Sequence, residues 1–225
     1  MLTIVLGDSE LERVPGQIAD HPQVAAAARK AGRPAVRTLL DGSLHHAAMR
    51  RLDDAARRGR PDLVHLFLLT ALESRANRAG NLAVRIHTRH DEWIDVDRET
   101  RIIRNYNRFC GLIEQLFEQK EVPKDRKLLQ LREGVGLIAA VESLRPDRVV
   151  WLDEAAPTVR PRQVFRPEDR AGHVVAVIGG FPHGTFRTPR PPGAEHVGFG
   201  PDALSVWTVA AELTVHYQDL CEAEA

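Results

Sequence analysis

The chain is poor in features that mark several protein classes at once. It has two cysteines in 225 residues, Cys110 and Cys221. They are too few and too far apart for a disulfide framework or a thiolate metal site, and they fit a reducing compartment. Aromatic residues are only 5 % of the chain. Neither sign of charge dominates, since 31 Lys and Arg balance 31 Asp and Glu. A globally basic nucleic-acid binder is excluded, so any phosphate-binding surface has to be local. No apolar run approaches the roughly 20 residues that a membrane span requires. Leu63–Leu72 is interrupted by His65 and Thr70 and reads as a buried helix. The start, Met1-Leu2-Thr3-Ile4-Val5-Leu6-Gly7-Asp8, lacks a basic leader and its apolar run is too short for a signal peptide. A soluble, cytoplasmic protein without a membrane partner is the expectation. No Gly-x-Gly-x-x-Gly follows a strand and no Walker-type loop occurs, which removes the ordinary dinucleotide and P-loop sites. His45 and His46 are neighbours on a helix and point in different directions. They read as solvent-exposed polar residues, and no metal site is expected.

What is present suits one α/β domain with a sizeable core: 43 % hydrophobic and 28 % charged residues. Leu2–Leu6 reads as a buried first strand. Pro22–Ala31 lies between a proline at its start and Gly32 just past its end, the usual helix asymmetry. Ala35–Leu40 reads as a strand. Ser43–Arg58 reads as a helix with Ser43 as N-cap and Gly59 as terminator. Asp62 can cap the next helix, which runs to about Leu72. Leu82–Thr88 and Glu92–Val96 look like a hairpin around His90-Asp91. Tyr106–Gln119 carries one apolar stripe, Phe109, Leu112, Ile113, Leu116 and Phe117, and Pro123 ends it. Val149–Leu152 and His173–Ile178 are β-branched strands joined by an exposed Pro- and Arg-rich connection, Pro157–Gly172. Asp202 can cap a last helix from about Ala203 to Asp219. Strands alternating with helices imply a largely parallel sheet with helices on its faces.

Three features point towards chemistry. Ile178-Gly179-Gly180-Phe181-Pro182-His183-Gly184 follows a hydrophobic strand directly, and its glycines let a ligand approach the backbone. A tight turn without a ligand explains the same residues equally well. Val197-Gly198-Phe199-Gly200-Pro201-Asp202-Ala203-Leu204-Ser205 is a second strand–loop–helix transition, for which an ordinary helix start is the commoner explanation. Arg98, Arg101, Arg104 and Arg108 lie within eleven residues with only Glu99 opposing them. On a helix their spacing would put them on one face, suited to phosphate, with Tyr106 among them as a stacking partner. A solvated charged face fits them too.

Taken in order, these pieces resemble one family. Arg60-Pro61-Asp62-Leu63-Val64-His65 is similar to its Arg-Pro-Asp-x-x-His motif. Leu68 to Gly80 resembles its leucine-rich helix ending in Asp-Ser-Pro-x-Asn-Lys-Ala-Gly. Arg101-Ile102-Ile103-Arg104, Arg108-Phe109 and Gly111-Leu112 resemble its Arg-Ile-Pro-Arg…Arg-Phe…Gly-Leu segment. Gly179–Gly184 and Ala203-Leu204-Ser205 resemble its two C-terminal loops. The family is that of the pseudouridine N(1)-methyltransferases of ribosome biogenesis, in the SPOUT superfamily.

The resemblance spans nearly the whole chain and implies a single domain, 1–225. It implies a SPOUT-type α/β fold with a largely parallel sheet, a β-hairpin-containing insertion and a C-terminal trefoil knot within about 148–225. It also implies a homodimer, S-adenosylmethionine as cofactor and small-subunit ribosomal RNA as partner. The implied reaction is methyl transfer to N(1) of a pseudouridine. By motif position, the implied cofactor residues are Leu152 in a first loop and Gly179, Gly184, Thr185 and Phe186 in a second. Phe199, Gly200, Pro201, Asp202, Ala203 and Leu204 form the third. The implied RNA-contacting residues are Arg60, Arg101, Arg104 and Arg108, with Asp62 orienting Arg60. Three positions depart from the pattern: Glu73 for Asp, Arg75 for Pro after Ser74, and Ile103 for Pro between the two arginines. Without that proline the Arg101–Arg108 segment is free to become more helical. No residue stands out as a general base. Glu73 is one candidate, though a helix-end hydrogen bond to backbone amides is its expected role. A related methyltransferase acting on transfer RNA, and an RNA-binding assembly factor for which methylation is secondary, remain alternatives.

Overall fold

The computed structural model describes residues 1–200 and 202–223. Its frame is an eight-stranded sheet in the order β4-β5-β3-β2-β1-β7-β6-β8. The strands are β1 (Leu2–Ser9), β2 (Leu82–Thr88), β3 (Trp93–Val96), β4 (Glu121–Val122), β5 (Leu129–Arg132), β6 (Arg148–Leu152), β7 (Val174–Gly179) and β8 (Glu195–Val197). β2, β1, β7, β6 and β8 run parallel. The hairpin β2–β3 extends the sheet antiparallel through β5 and β4.

β1 shows why the apolar runs become central strands. All eight of its residues are buried. Leu2, Ile4 and Leu6 face one core, and Val5 faces the other. A parallel strand covered on both faces reads as a continuous hydrophobic run. The larger core lies under α3 (Pro61–Glu73), α5 (Tyr106–Gln119) and α7 (Val206–Glu222). The opposite face packs on α6 (Leu137–Ser143), with Trp93 and Trp151 fully buried there. A satellite cluster joins α1 (Pro22–Ala31) and α2 (Gly42–Met49) through Ile18, Val24, Leu40 and Met49. The short helix α4 (Arg75–Arg78) is capped by Ser74, whose side chain accepts from the Asn77 amide.

The helices α1 and α5 keep the bounds read from sequence, and Gly32 adopts the left-handed conformation that closes α1. Several expectations need correction. Ala35–Leu40 is not a strand. Pro34 starts a 3-10 turn over Ala35–Arg37, and only Leu39 bridges, to Arg13. The helix expected over Ser43–Arg58 stops at Met49 and is capped by Asp41, which accepts from the Ser43 amide. Turns then carry Arg57 and Arg58 back to the buried carboxylates of Glu10 and Glu12. Asp62 does not cap α3. Pro61 holds the first helical position, and Asp62 follows it. Lys120 in a left-handed conformation ends α5 before Pro123 is reached. α7 starts at Val206, not at Ala203, with Ser205 rather than Asp202 at its boundary. The Pro157–Gly172 connection is partly packed. Val164, Phe165 and Asp169 are buried, and Phe165 meets Tyr217 edge-on at 5.1 Å. His45 is buried, not solvent-exposed; its Nδ1 accepts from the Asp41 amide, and burial lowers its pKa against the pull of Asp41.

Candidate active site

β6, β7 and β8 lie in one run of parallel strands, so their C-terminal ends open at one edge of the sheet. Ligands of open α/β sheets bind outside that edge. The loops that follow the three strands enclose a cleft of about 720 Å³ of empty space, its open mouth included. Leu152 at the end of β6 lines it, as do Gly179, Gly184 and Phe186 on and after β7. Phe199, Gly200, Asp202, Ala203 and Leu204, between β8 and α7, line its third side. Thr185 does not; it is exposed, and its carbonyl accepts a hydrogen bond from Arg57. Pro201 lies outside the described residues.

Asp153, Glu154, Phe181 and Val209 were not among the expected cofactor residues, and they also line the cleft. Asp153 and Glu154 were recoverable, because they directly follow the strand end at Leu152. The walls therefore combine apolar rings and aliphatic groups with three carboxylates, those of Asp153, Glu154 and Asp202. Such a set suits an apolar heterocycle that carries hydroxyls and positive charge. Backbone is within reach of a ligand as well: a Cβ on Gly200 would meet nothing within 4 Å.

Close backbone packing shapes the cleft. A Cβ on Gly198 would sit 2.9 Å from the Ala156 carbonyl oxygen and 3.0 Å from that of Asp153. That contact lets the loop after β6 lie on the end of β8, where Gly198 and Pro157, and Val159 and Gly198, exchange backbone hydrogen bonds. Gly179 is needed for a different reason. A Cβ there would meet the Phe181 ring at 2.6 Å, so the protein's own ring fills that space.

Below the second loop sits a buried polar junction. Asp8 accepts from the Arg187 and Thr188 amides at 2.7 and 2.8 Å and from the Thr188 hydroxyl at 2.9 Å. Burial alone raises the Asp8 pKa, but hydrogen bonds from His87 and Thr188 outweigh it and hold the carboxyl below the ordinary value. The Glu10 side chain, wholly buried, pairs with Arg57 and Arg89. Glu12 pairs with Arg58 and His90, and their hydrogen bonds overcome its burial to keep it below the usual carboxylate range.

The expected RNA residues are spread along α3: Arg60 precedes its first turn, Arg104 reaches Glu73 at its last residue, and Arg108 lies on the first turn of α5. Arg60 grips Asp62 through two bonds of 2.8 and 2.7 Å, a bidentate pair that fixes the guanidinium's direction. Arg101 and Arg104 flank a groove floored by Leu68, Leu72 and Ile102. Arg108 is exposed on the first turn of α5. The single helical face expected for Arg98–Arg108 does not form. Residues 101–105 are non-helical despite Ile103, because the His65 ring hydrogen-bonds the Ile103 carbonyl at 2.8 Å. Tyr106 is no free stacking platform: its hydroxyl donates to Asp41 at 2.6 Å, and burial raises its pKa far above the ordinary value. Glu73 is exposed and pairs with Arg104 at 3.3 Å, while the helix-end hydrogen bond expected of it is made by Ser74. Among the described residues no cluster of His, Cys, Asp and Glu side chains is arranged to hold a metal ion. No helix among them is long and apolar enough to cross a membrane.

The model of the EMG1/NEP1 methyltransferase family matches residues 4–218. This chain belongs to the EMG1/NEP1 methyltransferase family. The ribosomal RNA small subunit methyltransferase Nep1 of Thermococcus kodakarensis is 43 % identical over 218 residues, which is 97 % of this chain and 98 % of the relative. That of Methanothrix thermoacetophila is 42 % identical over 220 residues, 97 % of this chain and 96 % of the relative. The crystal structure of Archaeoglobus fulgidus Nep1 bound to S-adenosylhomocysteine superposes with a TM-score of 0.83 at 33 % identity, covering 97 % of each chain.

Proposed function

We propose that the chain is an S-adenosylmethionine-dependent methyltransferase acting on N(1) of a pseudouridine in small-subunit ribosomal RNA during ribosome biogenesis. The observation that carries this reading is the convergence of three strand-end loops on one cleft, in a fold shared with a Nep1 protein bound to S-adenosylhomocysteine. The cofactor, when bound, supplies an electrophilic methyl group. Leu152, Gly179, Gly184, Phe186 and the Phe199–Leu204 loop are the residues that would hold it, with Thr185 shaping the loop from outside the lining. Three carboxylates on the walls favour a cationic ligand. Arg60, oriented by Asp62, and Arg101, Arg104 and Arg108 position the RNA so that the target base, flipped from its loop, reaches the cleft. Alignment and exclusion of water then supply much of the rate. The test is methylation of a pseudouridine-containing stem-loop by the purified protein, read by mass mapping. Absence of transfer with cofactor and RNA both bound overturns the reading.

Two further elements belong to it. The segment from about residue 148 carries a trefoil knot, a reading supported by the close packing of residues 153–159 on the end of β8. The active form is a C2 dimer. Trp207 and Ala211 on α7 are only half-buried and Val215 is exposed, so this helix keeps an apolar face for a second copy. Light scattering at micromolar concentration should give twice the mass of the chain, and a monomer counts against the dimer.

A further inference from the structure

We propose that Arg57 is a positioning residue that holds the loop Phe181–Thr185 in the shape that receives the cofactor. The inference rests on the cofactor reading above and names a residue outside the cleft. Arg57 lies in the turns after α2, more than 120 residues from the loop in sequence. Its guanidinium spans three groups. Nε donates to the Glu10 carboxylate at 2.5 Å. Nη1 donates to the Thr185 carbonyl at 2.6 Å. The planar group lies over the Phe181 ring with its carbon 3.9 Å from the ring centroid. Phe181 lines the cleft directly and also packs edge-on against Phe186, which lines it too. Arg57 therefore touches both ends of the loop and none of the space the ligand fills.

The anchor on the other side is rigid. Glu10 is fully buried and is also held by Arg89. Its amide donates to the Gly180 carbonyl at 3.0 Å, and the Gly180 amide donates to the Gly7 carbonyl at 2.8 Å. Gly180, the residue that leads into the loop, is thus tied by backbone bonds to β1 and to Glu10 just after it. The second half, from Pro182 on, is half-buried or exposed and has Arg57 as its tie to the same carboxylate. A backbone carbonyl of the exposed loop, a ring wall of the cleft and a buried carboxylate meet on one flat cation, an arrangement that suits arginine and not lysine. His183 adds a bond from its ring to the Ala56 carbonyl at 3.2 Å, next to Arg57 in sequence.

Removing Arg57 leaves Glu10 paired with Arg89, so the fold keeps a partner for its buried charge. Arg57→Ala should weaken S-adenosylhomocysteine binding about tenfold, the scale of one lost charge-assisted hydrogen bond. Arg57→Lys should lie nearer to Ala than to wild type. Titration calorimetry measures both, and methylation kinetics should show KM for the cofactor raised about tenfold with kcat at saturating cofactor within about twofold. Hydrogen exchange in the ligand-free protein supplies a readout of order alone. Amides 183–186 should exchange faster in Arg57→Ala, while those of β1 and β2, and the Arg187 amide held by Asp8, stay protected. Wild-type cofactor affinity in Arg57→Ala, or unchanged exchange in the loop, overturns this inference and leaves the methyltransferase reading intact. Failure of the wild type to bind S-adenosylhomocysteine overturns both.

Discussion

Asp8 offers a sharp test of how the second cleft loop is held. It is buried at the end of β1, and its two oxygens accept from the Arg187 and Thr188 amides and the Thr188 hydroxyl. Its φ of 48° is one that Asn also tolerates, so Asp8→Asn changes the charge and little else. Placed with its oxygen on the two amides, the Asn side chain keeps those bonds but loses their charge assistance. The difference between charged and neutral bonds is roughly 1 kcal/mol each, so Asp8→Asn should cost about 2 kcal/mol at pH 7. Asp8→Ala leaves the Arg187 and Thr188 donors without that partner, removes the His87 contact as well, and should cost about 4 kcal/mol, at roughly 1–3 kcal/mol per donor with part-buried donors at the low end. The pH dependence has a definite sign. The folded pKa lies below the reference value of 3.8, so the unfolded chain takes up the proton first as pH falls. The contribution of the charge is complete above about pH 4 and disappears as pH drops through the folded value. Urea denaturation of wild type and both variants at pH 7 and at several values below pH 4 measures this. The gap between wild type and Asp8→Asn should close on acidification, and other carboxylates cancel in that comparison. An Ala variant within about 1 kcal/mol of wild type, or an Asn gap that is the same at pH 7 and pH 3, refutes the reasoning.

Two other outcomes follow from the proposed RNA contacts. In fluorescence titrations of a stem-loop RNA at several salt concentrations, Arg101→Ala and Arg108→Ala should each lower the magnitude of the salt slope by roughly 0.7 if they touch phosphate. Arg104→Ala should lower it less, because Glu73 already offsets part of that charge, and cofactor affinity should not change in any of the three. Glu73→Gln should leave single-turnover methylation within a few-fold of wild type, since the carboxylate is exposed and paired with an arginine; a loss of about 100-fold with RNA affinity intact would mark it as a general base instead.

Sequence was a good guide where local chemistry decides. Pro22 and Gly32 bracket α1, the Phe109–Phe117 stripe defines α5, and the buried runs at Leu2 and Val174 became adjacent central strands. It failed where a distant partner decides. Nothing local in Ser43–Arg58 announces that the helix must break so that Arg57 and Arg58 can reach Glu10 and Glu12, some 46 residues away. The extended path of Arg101–Asn105 is likewise imposed by His65 from another helix. β4, β5 and α6 were missed because two to seven residues carry too little periodicity, and β8 was read only as the strand end at Val197. Two of the cleft's loops were legible because each follows a strand, while the loop at Leu152 came from the family resemblance; Thr185 fell outside the lining because the direction of a side chain in a loop is not encoded in spacing.

The place of β1 in the sheet has a consequence for how the chain is made. Its two neighbours are β2 and β7, and Leu2 pairs with Val174. A ribosome adding about 5–20 residues per second needs roughly 10–30 s to reach β7 after finishing β1. Until β7 emerges, this fully buried strand of the finished fold can be sealed by β2 on one side at most, with a row of unpaired amides and carbonyls on the other. Synthesis of this protein should therefore depend on protection of its nascent N-terminal half. Ribosome-bound chains stalled before Val174 should be more protease-sensitive and more prone to co-sediment with chaperones than chains released a few dozen residues later.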